Sequence, residues 1–75
     1  MAQVVDARGL LCPVPLLRAR AALASLPDDE ALVVLATDPE APIDLAALAA
    51  DVGRAFASSR DEDGVWRLEL SAAEQ

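Results

Sequence analysis

Apolar positions along this chain change their spacing several times, and each change marks an element. Residues 2–7, AQVVDA, are a short valine-rich run that Arg8 and Gly9 close with a turn signal, so they predict a first strand. Leu16, Ala19, Leu23 and Leu26 then recur every three or four residues, one apolar stripe along a helix with Arg18 on the opposite side. Pro27 and the acidic run DDE stop that helix. Residues 31–37, ALVVLAT, are an unbroken apolar run whose length and branched residues favour a strand covered on at least one face.

A second helical pattern begins near Pro42, after the punctuating DPEAP. It places Leu45, Leu48, Ala49 and Val52 on one face and Asp44 and Asp51 on the other, and Gly53 suits its C-terminal cap. RAFASSR (54–60) and VWRLEL (65–70), joined by DEDG, read as a hairpin whose second strand turns Trp66, Leu68 and Leu70 inward. The closing SAAEQ is expected to fray. The order is β-α-β-α-β-β in one domain, residues 1–75. Right-handed crossovers then predict an α/β, two-layer sandwich: a four-stranded mixed sheet with both helices on one face.

Size and charge narrow the function. A chain of 75 residues buries only about 60% of its unfolded surface and has no room for a deep cavity. Six basic side chains face thirteen acidic ones, for a net charge of −7, and they are unevenly spread. Arg8, Arg18 and Arg20 stand near the N-terminus against Asp6 alone, while the remaining acids follow residue 27. This acidity, with no lysine and 3% aromatic residues, argues against direct nucleic-acid binding. Without histidine the Ser-His-Asp and Cys-His arrangements are excluded, together with the common His/Cys metal sites; no metal or organic cofactor is implied by the chain. One cysteine cannot form an internal disulfide. MAQVVDARG lacks a basic n-region, and the apolar stretches are too short for a membrane span, so the chain reads as cytoplasmic.

That single cysteine, Cys12, falls at the start of the first helix within CPVP. Proline costs little there, because first-turn N–H groups have no intrahelical partner, and Pro13 and Pro15 stiffen the bend. A helix start favours an anion, which predicts a lowered thiol pKa and a supply of nucleophilic thiolate. Position alone also permits a small buried apolar residue. Thioredoxin-like exchange fails, because Pro15 occupies the place of the second cysteine in C-x-x-C. Arg8, Arg18 and Arg20 read either as solvated charges or as partner contacts, with Arg20 nearest the apolar stripe. Asp38-Pro39 reads as a turn that starts the second helix, Trp66 as core, and residues 61–63 as a solvated loop.

DARGLLCPVPLLRARAAL resembles the TusA-type (SirA-like) small sulfur carrier family, whose C-P-x-P motif opens the first helix after an R-G-L turn. The likeness continues through ATDPEAPIDLAALAADVG to the terminal hairpin. It implies the same sandwich, also resembling the C-terminal domain of a translation initiation factor, and a sulfurtransferase activity. Cys12 would accept sulfane sulfur as a persulfide and pass it on by nucleophilic transfer, with no general base in the chain. Pro13, Pro15 and Gly9 match the supporting motif. Arg20 and Asp38 match positions that contact a cysteine desulfurase in the best-known members, and Arg18 and Arg8 are further candidate contacts. Val14 stands where tRNA-thiolation members often carry glutamate, and Ala21 where lysine often follows the helix arginine. The implied partners are a sulfur donor, such as a cysteine desulfurase or rhodanese-type enzyme, and a downstream acceptor protein, with the carrier itself a monomer. The alternative is a non-catalytic regulatory or assembly module that uses the Cys12 region as an interaction surface; RNA binding by analogy of fold is opposed by the acidic charge.

Overall fold

Strands β1 (Ala2–Ala7) and β2 (Ala31–Ala36) pair in parallel from Ala2 against Ala31 to Ala7 against Ala36. Parallel neighbours need a crossover, which α1 (Val14–Ser25) supplies. Helix α2 (Ala41–Val52) carries the chain across to a hairpin of β3 (Phe56–Arg60) and β4 (Trp66–Leu70). In this computed structural model, which describes residues 2–72, β4 pairs antiparallel with both β2 and β3, and the strand order is β1-β2-β4-β3.

The pairing register sets the core. Val5 and Ala7 of β1, Leu32, Val34 and Ala36 of β2, and Leu68 and Leu70 of β4 share one face of the pleat. Ala19 and Leu26 from α1 and its end, with Ala41, Leu45, Leu48 and Ala49 from α2, pack against that face and complete one cluster. Both helices therefore cover the same side, as the crossover rule predicts. β2 is apolar at every position, and even Val33 on the open face is 3% exposed. Trp66 is half-buried against the core, and the Arg60 guanidinium lies 5.3 Å from its ring centroid.

The ends of the elements obey local chemistry. Gly53 caps α2 at φ +73°, a left-handed conformation that glycine adopts without a Cβ penalty. In the hairpin loop, Asp61 Oδ1 accepts the N–H groups of Asp63 and Val65, each at 2.9 Å. Val52, expected on the buried face of α2, is instead 43% exposed, since it lines an open groove between the two helices. The expected fraying of SAAEQ does not begin at Ser71, whose N–H donates to the Ala55 carbonyl at 2.9 Å; residues 73–75 lie outside the described residues. Arg54, read from sequence as part of a strand, precedes β3 and is buried. Its Nη1 donates to the carbonyls of Glu30 at 2.6 Å and Ser71 at 3.0 Å, and its Nη2 to Pro27 at 3.3 Å.

Candidate functional site

Parallel pairing brings the loops that follow β1 and β2 side by side, and two hydrogen bonds fasten them. The Gly9 N–H donates to Thr37 Oγ1 at 2.9 Å, and the Cys12 N–H donates to Asp38 Oδ2. Gly9 turns the chain at φ +79°, which explains a glycine directly after Arg8. Asp38 is 8% exposed, and its other oxygen accepts the Glu40 N–H at 3.0 Å. It thus braces the turn that leads into α2 and pins the cysteine loop with one carboxylate. Its side chain faces inward, which leaves little of it for the partner contact expected from sequence.

Pro13 is the N-cap of α1, so Cys12 lies just before the helix and is exposed; it is not the buried apolar residue that its position permitted. Leu11 beside it is 73% exposed and Ile43, next to Asp44, 71% exposed. The helix start offers few donors. Pro15 has none, and the Val14 N–H is taken by the Leu11 carbonyl at 2.9 Å. Pro15 itself is among the most fully buried side chains, which anchors the motif to the core.

The sulfur does not face those N–H groups. Cys12 Sγ donates to Asp44 Oδ2, in the first turn of α2, at 2.9 Å. The thiol is pushed up to about 11, first by that hydrogen bond, then by lost hydration, then by the negative charges of Asp44, Glu40 and Asp38. The lowered pKa expected from the helix start is therefore corrected: the structure sets an acid against the sulfur and favours the protonated form. An acidic side chain that sequence reasoning did not foresee stands within hydrogen-bond reach of the thiol, although no general base was expected in the chain.

The basic stretch around Cys12 is equally a feature of sequence more than of space. Arg8 is held by Asp6, with Nε–Oδ1 at 2.9 Å and Nη2–Oδ2 at 2.8 Å, and the pair holds the Asp6 carboxyl at about 2. Arg18 is exposed on α1. Arg20 lines the interhelical groove with Leu23, Leu48, Asp51 and Val52. Asp51 is seven residues beyond Asp44 on α2, about 10 Å along the axis, so the groove and the thiol are separate places. The structure brings Cys12, Asp38, Gly9 and both motif prolines together and leaves Arg8, Arg18 and Arg20 apart. Glu40 and Asp44 were missed as neighbours of the thiol because acids in a first helical turn are ordinary dipole complements. The signal that could have found them is the parallel β1–β2 pairing, which sets the residues after β2 beside those after β1.

Among the described residues, no three histidine, cysteine or acidic side chains gather as a metal-binding group. No helix among them is long and apolar enough to cross a membrane. The family model described as Sulfurtransferase TusA matches residues 3–71, from within β1 to just past β4. The chain belongs to the TusA sulfurtransferase family. It is 41% identical over 66 residues to a Neisseria meningitidis protein, covering 88% of this chain and 89% of that one. It is 40% identical over 66 residues to the sulfur carrier protein TusA of Allochromatium vinosum, covering 88% and 87%. Its fold matches the crystal structure of a SirA-like protein from Desulfitobacterium hafniense with a TM-score of 0.87, at 29% identity and over 99% of this chain and 100% of that one. Membership of the TusA family gives the chain a sulfur-relay role, with sulfur transfer as its general activity and with donor and acceptor partners.

Proposed function

We propose that this chain carries sulfane sulfur as a persulfide on Cys12, received from a donor protein such as a cysteine desulfurase or rhodanese-type enzyme and passed to an acceptor protein. The observation that carries this reading is the exposed sulfur of the chain's one cysteine, on a loop whose backbone Asp38 holds. In the loading step the Cys12 thiolate attacks the outer sulfur of the donor persulfide. A new S–S bond forms at Cys12 Sγ, the bond between the donor's two sulfurs breaks, and the donor leaves as a thiolate. One disulfide-type bond is exchanged for another, so neither oxidant nor cofactor is consumed. Unloading repeats the exchange with an acceptor thiol. A free, exposed thiol suits a reducing compartment, and the cytoplasm is the compartment we assign. Arg20, in the groove between the helices, and Arg18, exposed on another side of α1, are the cations we assign to docking; Arg8 is already neutralised by Asp6.

Incubation with a desulfurase and cysteine, or with a small sulfane-sulfur donor, tests the reading. The intact mass should rise by one sulfur, a reducing thiol should reverse the gain, and Cys12→Ser should abolish it. An unmodified mass with several competent donors, while a partner protein still binds, replaces the carrier with the regulatory module.

A further inference from the structure

Asp44 and Cys12 are 32 residues apart in sequence and meet only because α1 and α2 start at the same end of the sheet. An acid in a first helical turn ordinarily serves its own helix. Asp44 instead directs Oδ2 at Sγ, while its N–H donates to the Glu40 carbonyl at 3.1 Å. The cysteine is thereby held at two points that do not depend on each other: its backbone by Asp38 and its sulfur by Asp44.

We propose that Asp44 is a positioning residue for Cys12, holding the thiol as a hydrogen-bond donor against α2 so that the free carrier reacts slowly until a partner breaks the Sγ–Oδ2 contact. Its purpose rests on the sulfur-carrier reading; its chemistry does not.

Every charged group that bears on Sγ is an acid: Asp44 and Glu40 from α2 and its cap, and Asp38 from the loop before it. Arg8, the cation nearest in sequence, is occupied by Asp6. A thiolate at this position would lose its hydrogen bond to Asp44 and sit beside three negative charges. Since the thiolate is the nucleophile, the exposed sulfur is protected electrostatically where it is not protected sterically. A thiol raised from 9.0 to about 11 has roughly 100-fold less thiolate at neutral pH. The more basic thiolate regains about tenfold in intrinsic nucleophilicity, so the net slowing is about tenfold. A partner that brings a cation to Asp44, or takes its hydrogen bond, removes the brake only where sulfur is to be exchanged.

The test is the rate of Cys12 alkylation by iodoacetamide, from neutral to strongly alkaline pH, on the full chain and on Asp44→Ala, Asp44→Asn and Asp44→Glu, with a melting curve for each. Asp44→Ala should move the midpoint down from about 11 part-way toward 9.0, since Glu40, Asp38 and lost hydration remain, and react several-fold, at most about tenfold, faster at neutral pH. Asp44→Asn, which keeps an acceptor without the charge, should fall between, and Asp44→Glu should restore the slow, high-midpoint behaviour. Coincident profiles for wild type, Asp44→Ala and Asp44→Asn overturn the proposal, and Asp44→Asn decides alone if Asp44→Ala melts early. Alkylation needs no sulfur donor, so failure here leaves the persulfide mass gain standing. A missing mass gain, conversely, leaves the positioning role standing.

Discussion

The Asp38 carboxylate accepts the Cys12 N–H, so a residue of the turn that leads into α2 also fixes the backbone of the cysteine. Its second oxygen is engaged by the Glu40 N–H at 3.0 Å, and the side chain is 8% exposed. Asp38→Ala leaves both amides without their charged acceptor. We expect a cost of about 2 kcal/mol, which lowers the melting temperature of a domain this size by about 8–16 °C. Asp38→Asn keeps one oxygen as acceptor and should lose about half as much. Equal melting of both variants with wild type would show that water replaces the carboxylate.

Arg54 makes the corresponding prediction for the opposite end of the fold. Its guanidinium joins the loop before β2 to the strand that ends at Leu70, through the carbonyls of Pro27, Glu30 and Ser71. Arg54→Met preserves much of the stem packing but removes every donor. The expected loss is about 3 kcal/mol, or about 2 M in urea midpoint at a slope near 1.5 kcal/mol per M. Arg54→Lys can satisfy only part of this geometry and should fall between. An unchanged midpoint for Arg54→Met would show that the arginine is not a staple.

Element order, the terminal hairpin and the Gly53 cap were legible because hydrophobic spacing and turn chemistry are local signals. Arg54 was not. In RAFASSR it looks like one more charge at a strand edge, and only the joining of three distant segments explains its burial. Charge around the thiol misled for a related reason. Arg8, Arg18 and Arg20 are close to Cys12 along the chain, yet folding gives Arg8 to Asp6 and moves the acids of α2 onto the sulfur. The single cysteine in a C-P-x-P turn is visible in the sequence; its hydrogen bond to Asp44 is not, because that partner lies 32 positions away.

Docking and thiol chemistry should separate at Arg20. It lies in the groove beside Leu48, Asp51 and Val52, about two turns of helix from the Asp44 end. Arg20→Glu changes an exposed side chain and should shift stability by no more than about 0.5 kcal/mol. We expect the KM for the donor protein to rise while Cys12 alkylation stays at the wild-type rate. A normal KM with normal alkylation would make Arg20 a bystander.

Alkaline stability gives the last prediction, and the composition makes it unusually clean. The chain has no lysine, tyrosine or histidine, so Cys12 is the only side chain whose ordinary range lies between pH 9 and 11. Its folded-state thiol is raised from 9.0 to about 11, chiefly by the hydrogen bond to Asp44. Between those values the unfolded chain has released the thiol proton and the native state still holds it. The native state then binds more protons, and stability must fall as pH rises. The contribution is complete below pH 9 and is lost as pH climbs to about 11. Urea titrations at stepped alkaline pH should therefore show a midpoint that declines across this window in wild type. In Cys12→Ser the decline should vanish, and in Asp44→Asn it should shrink. A decline of the same size in Cys12→Ser would assign it to another group and would remove the thermodynamic basis for a protonated thiol held by Asp44.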